Sequence, residues 1–247
     1  MTRIDNREND EIRETKFEGY PNYIIYPEGS VLISQGKTKV LCNVSVRNDV
    51  PRFIEGSGRG WLTAEYNLLP FSTHSRNVRE SRLGHVHGRT QEISRLIGRA
   101  LRGIFDLDKI GERSIIIDCD VIQADGGTRC ASITGSYIAL YAAVQKLLDE
   151  GMIYDNPILE PIAAISAGIV NLNGTSEYLL DLCYEEDSKA SVDLNCVMTE
   201  SRRLIEVQAT AEGKPFDQHE LNKLVDLSWK GIEELIELQK SILGDKK

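Results

Sequence analysis

A chain of 247 residues with 41% apolar and 27% charged side chains can bury a full core without covalent staples, which excludes a disordered, collagenous or disulfide-dense protein. Its 29 basic and 38 acidic residues leave a formal charge of −9, and its longest apolar runs, such as 161-PIAAISAGIV-170, fall short of the roughly 18 residues of a membrane span. The charged opening stretch MTRIDNRENDEIRETK reads against a signal peptide or anchor, and five cysteines without a CxxC pair read as buried thiols of a cytoplasmic protein.

In chain order, alternating apolar residues predict strands over 22–27, 30–36 and 38–46, separated by Pro27-Glu28-Gly29 and Gln35-Gly36-Lys37 turns, hence an antiparallel meander. A glycine-rich loop at 56–60 and a polar stretch over 71–88 form a long connection. Over 90–105 the apolar residues recur at the i, i+3, i+4, i+7 spacing of an amphipathic helix, with Arg95, Arg99 and Arg102 opposite the stripe. A β-branched strand over 114–123, a glycine turn and a second helix follow. Past Gly151, strands are predicted over 162–170, 177–184, 191–198 and 203–210, and a helix from about 217 to 243 closes the chain. Both halves, about 1–150 and 151–247, run strands then helix, which predicts two related α+β units fused around one core in a single domain.

The acidic total hides a basic segment. From Thr73 to Gly103 there are seven arginines, no lysine and two acids, a net +5 against −14 for the remainder. Arginine used without lysine suits bidentate recognition of phosphate or carboxylate, although intersubunit ion pairs would use the same side chains.

Three short stretches could carry chemistry. The first, 126-GGTR-129, leaves a strand and opens a helix, where free backbone N–H groups and the positive end of the helix dipole favour an anion. A cation in the first helical turn opposes that dipole, so Arg129 is explained either by a bound phosphate or by Asp125 holding it in an ordinary turn. The second, 88-GRT-90, repeats the anomaly with Arg89. The third, 181-DLCYEEDSKASVDLN-195, carries Asp193 and Asn195 on one face of a strand, with Asp187 before it and Asp181 nearby. Such carboxylates suit Mg²⁺ or Mn²⁺, a general acid, or a solvated acidic turn. The four histidines show no zinc spacing, and no GxSxG elbow is present.

Together with 28-EGSVLISQGKTKVLC-42, 58-GRGWLTAEYNLLP-70, 88-GRTQEISRLIGRALR-102, 118-DCDVIQADGGTR-129 and 206-EVQATAEGKPF-216, these stretches resemble the ribonuclease PH family across nearly the whole chain. The resemblance implies an α+β fold of duplicated ββαβα-type units, as in the second domain of ribosomal protein S5. It implies a phosphorolytic 3′–5′ exoribonuclease and tRNA nucleotidyltransferase, working in the cytoplasm as a homohexamer, a trimer of dimers, on tRNA 3′ ends. Inorganic phosphate would be the co-substrate and Mg²⁺ or Mn²⁺ the metal. Residue by residue, Arg89, Gly127, Thr128 and Arg129 match the family's phosphate-binding positions. Asp187 and Asp193 match its catalytic, metal-binding acidic pair, Asp181 matches a nearby acidic position, and Arg76 and Arg79 match the loop that meets RNA or a neighbouring subunit. The chain departs from the family pattern at Asn6, Phe71, His87 and Ala209. A hydrolytic metal nuclease and a catalytically silent RNA-binding ring subunit are the alternative readings.

Overall fold

A computed structural model describes residues 3–172 and 174–244. The first half builds one five-stranded sheet. Three strands, β1 (Thr15–Glu18), β2 (Gly29–Gln35) and β3 (Thr38–Arg47), pair antiparallel, and β3 pairs antiparallel with β5 (Ser114–Gln123). Parallel to β5 lies β4 (Trp61–Leu68), which the helix α1 (Gly88–Arg102) connects to it, giving the order β1-β2-β3-β5-β4. A parallel neighbour needs such a crossover, because a tight turn can only return a strand antiparallel.

After β5 comes α2 (Thr128–Asp149), whose sixteen buried residues leave almost no solvent face. A helix apolar all round must be covered all round. One side packs on β2 and β3. The other meets the second sheet, β7-β6-β8-β9, formed by β6 (Ile162–Leu172), β7 (Thr175–Leu180), β8 (Ala190–Thr199) and β9 (Leu204–Ala211), all antiparallel. Period-two alternation splits β6 and β8 cleanly. Ile162, Ala164 and Val197 join the large core around α2, whereas Ala163, Ile165, Leu194, Cys196 and Met198 form a second core. That second core is closed by α4 (Gln218–Leu243), whose N-terminus is a reciprocal capping box between Asp217 and Glu220. The molecule is therefore layered as sheet, helix, sheet, helix. The halves are alike in layering but not in strand order, since only the first contains a parallel pair.

The predicted strand over 22–27 does not form. Both edges of β2 are taken, by β1 and β3, so the segment finds no ladder. It keeps one bridge, Asn22 to Ser30, and leaves Ile25 and Tyr26 exposed. In its place the short strand Thr15–Glu18 caps the sheet edge. Residues 177–184 end as a strand at Leu180, and a one-turn helix, α3 (Tyr184–Asp187), follows. All five cysteines are free and buried, as expected, and among the described residues no helix is long and apolar enough to cross a membrane.

Candidate active site

The N-terminus of α2 opens into a cleft of about 340 Å³ lined by Tyr66, Arg89, Gly127, Thr128, Arg129, Ser166, Asp187, Asp193 and Asn195. The cleft follows from the layering. On β8 the residues between the apolar ones point toward α2, so Asp193 and Asn195 face the helix end, with Ser166 of β6 cross-strand from Asn195 and Gln208 of β9 on its other side. Gly126 and Gly127, at φ +76° and +67°, make the turn into α2. A Cβ on Gly126 would lie 2.6 Å from the Leu182 carbonyl, so only glycine lets this turn press against the strand-to-helix junction that carries Asp187. The turn is fixed from behind as well, because Thr38 Oγ1 accepts from Asp125 N at 2.9 Å and donates to the Gly126 carbonyl at 2.7 Å.

Two arginines converge here from separate helix starts. Arg129, in the first turn of α2, donates to Glu92 and to the side-chain carbonyl of Gln208. Asp125 does not hold it; the Asp125 carbonyl instead takes a 2.6 Å hydrogen bond from Arg13. Arg89, at the start of α1, is exposed and makes no ion pair among the described residues. Both charges reach Tyr66, Asp187 and Asp193, where they oppose the upward pull of burial on each group. No acid stands in the first turn of either helix, so the free N–H groups of α2 and the two guanidinium groups, Arg129 also pairing with Glu92, gather positive charge on one wall of the cleft.

Opposite stand the carboxylates. Burial, then the neighbouring charge of Asp187, pushes Asp193 up to about 6, against the pull of Arg129 and a 3.2 Å hydrogen bond from Asn195 Nδ2. Burial also raises Asp187. Neither is in an ion pair among the described residues, and the charges of Arg89 and Arg129 offset the negative pair only in part. That donor set fits a hard divalent ion, which takes one or two carboxylates and leaves further positions for water and substrate oxygens. Among the described residues there is no cluster of three or more metal-ligating side chains.

Asp181 belongs elsewhere. It is fully buried at φ +53° and receives Arg13 Nε and Nη2 at 3.0 and 2.6 Å and the Arg13 backbone N–H at 2.8 Å. Beside it, Arg3 makes a bidentate pair with Glu186 at 2.8 and 2.7 Å, and Glu186 caps α3 through the Cys183 N–H. These buried arginines from residues 3–13 hold down α3 and with it Asp187. Asn6, where the family pattern has glycine, adopts φ +64°, a left-handed conformation that asparagine tolerates better than other side chains.

The helix-α1 arginines divide. Arg102 donates to the Leu62 carbonyl at 2.8 Å and covers the Trp61 ring, Arg99 forks onto Glu206, and Arg95 is exposed. Arg76 and Arg79 stand exposed on the connection between β4 and α1 and form no ion pair among the described residues. Tyr66 and Ser166, which no local motif marks, reach the cleft only through the tertiary fold. The alternation 62, 64, 66, 68 within WLTAEYNL was the available sign of a strand there.

A family model described as "3′ exoribonuclease family, domain 1" matches residues 11–145, and one for "domain 2" of that family matches residues 160–231. A protein of Bacillus pumilus named ribonuclease PH is 56% identical over 243 residues, covering 98% of each chain. Its namesake from Bacillus subtilis is 55% identical, covering 98% of this chain and 97% of the relative. Among solved structures, the Archaeoglobus fulgidus exosome with RNA bound to the active site aligns at a TM-score of 0.76 with 22% identity, covering 96% of this chain and 92% of that one. An archaeal exosome core aligns at 0.72 with 22% identity, covering 97% and 90%. At that identity the shared feature is the fold.

Proposed function

This chain belongs to the 3′ exoribonuclease family, and from that premise we propose that it is a ribonuclease PH, a phosphorolytic 3′–5′ exoribonuclease that trims tRNA precursors. The observation that carries the reading is the convergence of Arg89, Arg129 and the α2 N-terminus on one wall of a cleft whose other wall is Asp187 and Asp193. A hydrolase would need the carboxylates but would leave the anion site without a task.

In this reading inorganic phosphate is held by Arg89, the Gly127–Thr128 turn, the Thr128 hydroxyl and Arg129. One of its oxygens attacks the phosphorus of the terminal 3′,5′-phosphodiester. The new P–O bond forms as the P–O3′ bond breaks, a nucleoside 5′-diphosphate leaves, and the shortened RNA keeps a 3′ hydroxyl. The reverse direction adds a nucleotide to an RNA 3′ end. The leaving 3′ oxygen needs a proton, which one aspartate of the pair would supply when it is not itself ligating the ion. Asp187 and Asp193 would hold Mg²⁺ or Mn²⁺, which when bound neutralises charge on the scissile phosphate. Catalysis is then positioning and electrostatic stabilisation without a covalent nucleophile.

RNA would approach along Arg76 and Arg79. The whole chain, 1–247, acts as one domain, its halves joined through α2. Assembly into a hexamer, a trimer of dimers, in the cytoplasm is part of the same reading, supported by the apolar surface that Ile25 and Tyr26 leave uncovered, 76% and 85% exposed.

The test is Arg129→Ala. Losing a bidentate, charge-assisted contact of about 2–3 kcal/mol should raise the KM for phosphate roughly 30-fold or more, or abolish phosphorolysis, while the chain stays folded. Wild-type activity with unchanged phosphate dependence would overturn the assignment.

A further inference from the structure

We propose that Tyr66 is a positioning residue of this site: its phenol O–H donates to Thr128 Oγ1 and so turns the Thr128 proton toward the bound phosphate. The inference rests on the phosphate-binding reading above.

Tyr66 is 3% exposed, and its ring belongs to the main core, so the phenol cannot swing away. Its backbone N–H is fixed to Ser94 Oγ of α1 at 3.0 Å, which ties strand, first helix and phenol into one unit. The phenol oxygen lies 2.9 Å from Thr128 Oγ1, and both residues line the cleft.

Two hydroxyls that share one hydrogen bond use one proton and leave the other free. Thr128 is the first residue of α2, so no preceding turn of that helix offers a carbonyl for its hydroxyl; four residues on, Ser132 does find one, donating to the Thr128 carbonyl at 2.8 Å. Among the described residues no carbonyl or carboxylate accepts from Thr128 Oγ1. Its proton therefore goes to Tyr66 or into the cleft.

An arriving anion decides between the two. It is drawn to the α2 N–H groups beside Thr128, and a Thr128 proton aimed at it is favourable only if Tyr66 supplies the proton that Thr128 Oγ1 then accepts. Burial keeps the phenol protonated and able to do so. The two bonds run head to tail and polarise one another, so the donor facing phosphate is stronger than an isolated threonine. Tyr66 touches no reacting atom; it acts through Thr128.

The experiment measures rates of RNA phosphorolysis against phosphate concentration for the wild type, Tyr66→Phe, Thr128→Val and the double variant, each checked for a native circular dichroism spectrum. Both substitutions nearly conserve shape. Tyr66→Phe should raise the phosphate KM roughly fivefold, as the loss of one oriented hydrogen bond would, leaving kcat at saturating phosphate and the KM for RNA within about twofold. The double variant should be no worse than Thr128→Val, because Tyr66 has nothing to orient once the hydroxyl is gone. An unchanged phosphate KM in Tyr66→Phe, or effects that multiply in the double variant, would overturn the relay. A wild-type enzyme indifferent to phosphate would instead overturn the proposed function, and this inference with it.

Discussion

Asp193 is costly for the fold and is kept where it is by the cleft. Its carboxyl sits near 6, against about 3.9 for an ordinary aspartate, so the folded chain binds that proton more tightly than the unfolded chain does. Below about pH 4 both states carry the neutral acid and the group costs nothing. Between there and pH 6 the unfolded chain loses its proton first, and stability falls as pH rises. Above pH 6 the whole penalty applies, at most about 3 kcal/mol at 1.36 kcal/mol per pH unit. Asp193→Asn should therefore stabilise the protein by about 1–3 kcal/mol at neutral pH in the presence of a chelator, a gain that fades toward about pH 4, while removing phosphorolysis. Chemical denaturation at the two pH values checks the sign. Equal stability of the variant and wild type at both would mean that Asp193 is better solvated than its setting in the cleft implies.

Among the elements, the turn into α2 places two demands on a single glycine. Gly126 has both a left-handed φ of +76° and a neighbouring carbonyl 2.6 Å from where a Cβ would stand, whereas Gly56 has φ +78° and open space around it. Gly56→Ala should cost about 1–2 kcal/mol from conformation alone. Gly126→Ala adds the steric conflict, should cost about 2–4 kcal/mol, and should lower activity because relief of the conflict moves the Asp187 junction. Equal melting temperatures for the two variants would show that the turn and the junction are not in contact. Much at this scale was legible in the sequence: the periods of 114–123, of the helix that follows 126-GGTR-129 and of the last helix match the elements that form, and so does the placing of Asp193 and Asn195 on one face of a strand. Residues 22–27 misled because alternation reports a pattern but not whether a sheet edge is free to receive it. The role of Asp181 was not legible because its partners, Arg13 and Arg7, lie some 170 residues away along the chain, and no local pattern marks a carboxylate as already neutralised.

At the scale of the molecule, a chain of net charge −9 binds polyanionic RNA only where its positive charge is concentrated. The connection carrying Arg76 and Arg79 and the cleft with Arg89 and Arg129 are such places, while Glu65, Asp118 and Asp120 face the neighbouring depression and repel phosphates. Burial raises Asp118 and Asp120, and the charges of Glu65 and Asp120 add to the rise at Asp118. RNA affinity should fall steeply with salt, and Arg76→Ala with Arg79→Ala should each reduce the log–log slope by about 0.7 per single-strand phosphate contact removed. A slope unaltered by both changes would take that connection off the RNA path. The most direct test of the central claim uses a tRNA precursor labelled in its extra 3′ nucleotides, incubated with the protein and Mg²⁺, with and without millimolar phosphate. Nucleoside diphosphates released only when phosphate is present are the predicted result, and monophosphates released equally in both would contradict it.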